Sequence, residues 1–213
     1  MKNVLLLADL HGDYRKLDNF LDLNCDAVFL AGDLTDMGPA EAAEDLLSRI
    51  DVPAFAVPGN CDPPEMVEFL ECSDWVCMHG GCFCLGRISI LGIGGSNPTP
   101  FGTPFEMEES RIEALLTAAL ARRDNAMHNV LISHAPPFGI LDRAGGNHVG
   151  SKGVRRHLPS FDLVCCGHIH EDRGIADVDG VRVVNPGMAS KGECALIRFG
   201  DVAKEIDIEL FTV

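Results

Sequence analysis

The sequence predicts an α/β fold in which two stacked mixed β-sheets are flanked by α-helices, a four-layer sandwich. Three observations predict it: short, wholly apolar runs that recur along the chain, helical patterns between them, and turn signals that mark antiparallel hairpins. The chain has 213 residues and is 46% hydrophobic, which suits one domain over residues 1–213 with a sizeable core.

The apolar runs cover residues 4–8, 27–31, 54–57, 130–132 and 163–166. Runs of this length rich in Val, Leu and Ile read as strands buried on both faces. Ile112, Leu115, Leu116, Ala119 and Leu120 fall at i, i+3, i+4, i+7 and i+8, one stripe of a helix that must pack on a sheet. A second helix is expected to begin at Pro39 and to carry Ala42, Leu46, Leu47 and Ile50 inward. Shorter helices are expected over 14–23 and 64–71. Segments 82–85 and 88–93 flank Gly86-Arg87, 174–178 and 181–184 flank Asp179-Gly180, and 196–199 and 203–210 flank Gly200-Asp201. Each pair reads as a hairpin. The Gly- and Pro-rich stretch 94–104 is a long loop, and loops of that length are more often functional than decorative.

Composition excludes several classes of function. Thirty-two acidic residues against 17 basic ones leave a net charge of -15, which repels polyanions and argues against non-specific duplex binding. A small phosphoester, such as a nucleotide, stays admissible, because bound cations reverse the local field of an acidic protein. The first apolar run stops at Asp9, short of a signal-peptide core or a membrane span, so a cytoplasmic protein without a membrane partner is expected. The nine cysteines form no evident disulfide framework and are expected to be reduced.

The chemistry collects where the apolar runs end. They stop at Asp9-Leu10-His11, Gly32-Asp33, Gly59-Asn60, Ser133-His134 and Gly167-His168-Ile169-His170. Ligands of open α/β sheets gather beyond the carboxyl ends of the strands, so these residues can meet despite their separation in sequence. Alternate residues of an extended segment point to one side, which lets Asp9 and His11, or His168 and His170, serve a common site. Glycine before Asp33, Asn60 and His168 permits a tight backbone. Any one of these residues alone reads as a turn, a cap or a satisfied polar group. Their joint placement points to metal. Asp9, His11, Asp33, Asn60, His134, His168 and His170 supply seven donors, more than the four of a structural zinc site, so two divalent cations are implied.

These residues resemble the calcineurin-like metallophosphoesterases, through Asp9-x-His11, Gly32-Asp33-x-x-Asp36, Gly59-Asn60-x-Asp62, His134 and Gly167-His168-x-His170, in family order over residues 9–170. The loop 94–106 and the segment from Gly150 through Asn185-Pro186-Gly187 look like a small archaeal branch of predicted phosphoesterases. The resemblance implies that Asp9, His11 and His170 bind one metal, that Asn60, His134 and His168 bind the other, and that Asp33 bridges them. Asp62 would orient the third motif. Manganese is the expected metal, with iron, zinc or nickel as alternatives that the donor set does not exclude. The implied reaction is hydrolysis of phosphodiesters, or of activated monoesters, by in-line attack of a metal-bridging hydroxide, with Asp33, Asn60 and Asp62 in the catalytic machinery. The alternative is a non-catalytic platform, since the same fold serves in a protein-binding retromer subunit. The seven intact donors rank that alternative second, and the oligomeric state stays open.

One position departs from the family pattern. Many members have His after the Asn of the third motif, where it assists the leaving group, and here it is Cys61. A thiol cannot replace an imidazolium as a cation near neutral pH, so a preference for good leaving groups is expected. His148, in the Gly-rich segment 145–151, is the candidate substitute donor. Arg143 and Lys152 read as solvated loop charges rather than phosphate ligands. Cys72, Cys77, His79, Cys82 and Cys84 lack Cys-x-x-Cys spacing, and Cys82 with Cys84 is expected on the core face of a strand, not in a zinc site.

Overall fold

The computed structural model describes residues 3–124 and 126–213. Its first sheet contains β1 (Asn3–Leu7), β2 (Ala27–Ala31), β3 (Ala54–Val57), β4 (Val76–Cys77), β13 (Glu193–Phe199) and β14 (Ile206–Thr212), in the spatial order β14-β13-β1-β2-β3-β4. The pairs β1/β2, β2/β3 and β3/β4 are parallel, whereas β13 pairs antiparallel with both β1 and β14. The second sheet runs β11-β12-β10-β7-β6-β5, with β5 (Cys82–Leu85), β6 (Ile88–Ile93), β7 (His128–Ser133), β10 (Leu163–Cys165), β11 (Gly174–Val178) and β12 (Val181–Asn185). Its four central strands are parallel and antiparallel hairpin partners close both edges.

The period-two geometry of strands sorts the apolar runs into layers. Val4, Leu6 and Ala8 pack between the sheets with Phe29, Val57, Val130 and Ile132. Leu5 and Leu7 face the other way, against Phe20 of α1 (Leu17–Leu21), Leu46 of α2 (Glu44–Arg49) and Met66 and Leu70 of α3 (Met66–Glu71). On the far side, Leu91, Leu131 and Val164 pack on Ile112 and Leu116 of α4 (Glu109–Leu120) and on Val154 of α5 (Lys152–His157). Burial on both faces accounts for strands that read as unbroken apolar runs rather than as alternating ones.

Four expectations need correction. Pro39 lies outside the second helix, which opens as a 3₁₀ turn over Ala40–Ala43 and continues as α2. Its buried positions are Ala40, Ala43, Leu46 and Ile50, spaced three or four apart, which leaves Ala42 exposed. In the last hairpin residues 203–205 belong to the turn, because Gly200 N donates to Glu205 O and Phe199 pairs with Ile206. Cys84 is exposed on edge strand β5, and Cys82 is half-buried. The small hairpin β8 (Arg143–Ala144) and β9 (Asn147–His148), together with α5, had no sequence signature. All nine cysteines are free. Among the described residues, no helix is long and apolar enough to cross a membrane.

Candidate metal centre

The carboxyl ends of β1, β2 and β3 deliver Asp9, Asp33 and Asn60 to one edge of the sandwich, and those of β7 and β10 deliver His134 and His168 to the same edge. The connecting turns are not extended. Asp9, His11, Asp33 and His168 have φ of 57°, 47°, 51° and 69°, in the left-handed region. Such conformations are costly for non-glycine residues and persist only where surrounding contacts hold them. Those contacts are present here: Asp9 N donates to Gly32 O, His11 N to Asp33 O and Gly12 N to Leu34 O, at 3.1, 2.9 and 3.0 Å. Convergence of the donors therefore comes from curled turns stitched across neighbouring strand ends, not from alternation along a straight segment.

The glycines are required by close approach. A Cβ on Gly59 would lie 2.0 Å from Asp33 Oδ1, one on Gly32 would lie 2.5 Å from His134 Nδ1, and one on Gly167 would lie 2.7 Å from Ala8 Cβ. Chain and ligand side chains occupy the same few ångströms, which a larger residue would fill.

Two groups of donors result. In the first, His170 Nε2 lies 3.4 Å from Asp9 Oδ1 and 3.3 Å from His11 Nε2. In the second, His134 Nε2 lies 2.7 Å from Asn60 Oδ1, with the His168 ring 5.0 Å from that of His134. Asp33 sits between the groups: Oδ2 is 3.7 Å from His11 Nε2 and Oδ1 is 3.4 Å from His134 Nε2. Donor atoms of Asp9, His11 and His170 lie within 4.8 Å of one another, as do those of Asp9, Asp33 and His134. Cys61 Sγ forms a third such set with His11 and Asp33, so the departure from the family pattern places sulfur beside the candidate ligands.

Hydrogen bonding tests whether this set fits cations. His134 Nδ1 donates to Ala31 O at 2.8 Å, which leaves Nε2 as a lone pair. Asn60 Nδ2 donates to Thr103 Oγ1 at 3.1 Å, which turns Oδ1 towards that lone pair. In the neutral tautomer with Nδ1–H on Ala31 O, two acceptors, His134 Nε2 and Asn60 Oδ1, face each other at 2.7 Å in a buried site beside a carboxylate, which is the chemistry of a coordination sphere. The set fits a divalent cation.

The electrostatics agree. Burial works against ionisation of Asp9, but its hydrogen bond to His170 and the neighbouring histidines hold its pKa below the ordinary value. Burial holds His168 neutral, with a pKa lowered to about 3, and a neutral imidazole is the form that ligates metals. Asp62 does not reach the donors. It is fully buried and accepts from Leu34 N, Thr35 N, Thr35 Oγ1 and Gly59 N, tying the second and third motifs together.

Other residues of the site were not signalled by the sequence. Thr103 also donates through Oγ1 to Glu106 Oε1 at 2.6 Å, and Glu106 gathers Thr99 N, Thr99 Oγ1 and Thr103 N as well, folding the 94–106 loop against Asn60. The Thr-x-x-Glu spacing was the available hint. Asp142, fully buried, receives His148 Nδ1 at 2.5 Å and the amides of Gly139 and Gly150. A cleft of about 760 Å³ opens beside the donors, lined by His168 and His170 and by Phe101, Phe138, His148 and Lys152. Arg143 is exposed, and Lys152 Nζ lies 5.7 Å over the Phe138 ring.

Known proteins share this organisation. The chain is 35% identical over 194 residues to an uncharacterized protein of Methanocaldococcus jannaschii, covering 84% of this chain and 85% of that one. Among solved structures, the TT1561 protein of Thermus thermophilus superposes with a TM-score of 0.73 at 20% identity, over 98% of each chain. GAP50, an anchor in the inner membrane complex of Plasmodium, superposes with a TM-score of 0.67 at 12% identity, over 99% of this chain and 84% of that one. These two likenesses show the fold. The model of the calcineurin-like phosphoesterases matches residues 2–172, the span that carries every donor named above. With that match and those donors at one sheet edge, the chain belongs to the calcineurin-like phosphoesterase family.

Proposed function

We propose that the protein is a dinuclear phosphodiesterase, active also on activated monoesters, with manganese as its metal and small phosphoesters of the nucleotide class as substrates. The observation that carries this reading is Asp33, which presents one oxygen to each of the two donor groups. Two cations so held, when bound, supply Lewis-acid charge to the phosphoryl oxygens and lower the pKa of a coordinated water. Asp9, His11 and His170 would hold one cation, Asn60, His134 and His168 the other, and Asp33 both. The chain does the positioning: Ala31 O fixes the His134 tautomer, Thr103 fixes the Asn60 amide, and Asp62 fixes the turns that carry Asp33 and Asn60. Negative charge developing on the phosphoryl group meets a preorganised site, with no reorganisation needed as the reaction proceeds. The non-catalytic alternative, a platform of the same fold, draws support from the anchor protein of Plasmodium, but it gives no reason for six donors to stay arranged around Asp33.

Turnover of bis(p-nitrophenyl) phosphate should require added manganese after chelation. Asp33→Asn and His134→Ala should each lower it about 100-fold or more. Metal-independent turnover, or variants as active as the parent, would overturn the reading.

A further inference from the structure

The cleft beside the donors ends on a hairpin that the metal chemistry does not use. Strands β8 and β9 are fastened to the segment that follows His170: Arg143 N donates to Asp172 Oδ2 at 2.8 Å and Gly145 N to Glu171 Oε2 at 3.2 Å. Asn97 Nδ2 donates to Val149 O at 3.1 Å and ties the same hairpin to the 94–106 loop. His148 is thus braced from both sides of the cleft, although its side chain is 37% exposed. Its Nδ1 is engaged by the buried Asp142 carboxylate, which turns the other ring nitrogen, Nε2, away from Asp142. Among the described residues Nε2 has no hydrogen-bond partner. Asp142 is itself fixed by two backbone amides, and a Cβ on Gly150 would lie 2.9 Å from its Cβ. A carboxylate that orients an imidazole lining a cavity is the arrangement of a general acid or base. Apolar rings line the same cleft: Phe101 is 84% exposed and Phe138 is 37% exposed.

Resting on the phosphoesterase reading, we propose that this cleft receives the leaving group of a phosphodiester bearing an aromatic or nucleoside ring, and that His148 protonates the departing oxygen while Asp142 positions it. The ring lies against Phe101 and Phe138. A water-derived oxygen forms the new bond to phosphorus and the bond from phosphorus to the leaving oxygen breaks. The electron pair of that bond stays on the leaving oxygen, which takes the Nε2 proton of a His148 imidazolium, whose Nδ1–H stays on the Asp142 carboxylate and which is left as the neutral ring. The acid missing at Cys61 is supplied from the hairpin that lines the cleft, and the preference for good leaving groups expected from Cys61 alone is softened accordingly.

A series of aryl methyl phosphates with leaving groups from p-nitrophenol to phenol tests this with the full-length, manganese-loaded protein. His148→Gln should lose about 100-fold on the phenyl ester and less than about 3-fold on the p-nitrophenyl ester, whose phenolate needs no proton. Retained p-nitrophenyl turnover also shows that the variant is folded. Phenylphosphonate, added to the parent protein loaded with diamagnetic zinc, should shift the His148 imidazole resonances in ¹H–¹⁵N spectra. Asp142→Asn should shift the His148 Nδ1 resonance and steepen the dependence of the rate on the leaving group, as loss of the carboxylate that holds the imidazolium would. An equal loss on all esters, no loss, or a His148 ring unmoved by phenylphosphonate would overturn the role of His148 and leave the metal-centre reading standing, provided Asp33→Asn is inactive. Absence of metal-dependent turnover in the parent would overturn both.

Discussion

Asn60 shows how a single hydrogen bond can set ligand chemistry. An amide has an oxygen end and a nitrogen end of nearly equal shape, and only the oxygen can ligate a cation. Thr103 Oγ1 passes its own proton to Glu106 and so has a lone pair for Asn60 Nδ2. Thr103→Val keeps the volume and removes both bonds. We expect it to weaken manganese binding about 10- to 100-fold, read by calorimetric titration, while the unfolding midpoint changes little. Gly59→Ala acts through space: the new methyl would meet Asp33 Oδ1 at 2.0 Å, and overpacking of this kind costs about 1–3 kcal/mol. Urea denaturation should show that loss. The seven donors and Asp62 were legible in the sequence because each follows an apolar strand run or belongs to a dense motif. Thr103, Glu106 and Asp142 were not: Thr103 meets Asn60 43 residues away, and Glu106 and Asp142 collect their donors from 3 to 8 residues away across tight loops whose folding only the tertiary structure fixes.

At the scale of elements, the 94–106 loop is held by a carboxylate rather than by a core. Four hydrogen bonds converge on Glu106 from Thr99 and Thr103. Partial burial opposes its charge, but these donors prevail and lower its pKa to about 2, against about 4.3 for an unperturbed Glu. The folded loop thus favours the ionised form. Its stabilisation is complete above the ordinary carboxylate range and is lost as pH falls through 4 towards 2. Amide exchange at Thr99 and Thr103 should accelerate over that interval relative to the rest of the second sheet, and Glu106→Gln should exchange fast at every pH. Helix α5 escaped the sequence reading for a related reason. It has only six residues, and its first turn is capped by Ser151 and by Glu109 reaching across from α4, a tertiary contact that no local signal predicts. Helix α4 was legible because its stripe spans three turns. Leu116→Ala, at a fully buried position, should lower stability by about 2–5 kcal/mol.

For the whole molecule, the acidic composition and the metal centre belong together. A net charge of -15 repels anionic esters at a distance, yet it attracts the cations that make the local field positive. Ligands that bind only the folded state stabilise it. Manganese at about 100 times its dissociation constant adds about 2.7 kcal/mol per site. For a chain of this size that is a rise in melting temperature of about 5–11 °C, abolished by chelator and by Asp33→Asn. Four of the donors precede residue 61 and three follow residue 133, and the two sets reach the centre from different sheets. During synthesis the first four emerge while the histidines that complete the set are still untranslated. On the dinuclear reading, cation capture belongs to the end of biogenesis: the full set would form only when the second sheet docks, and the bound cations would then rivet together two halves of a polypeptide made at different times.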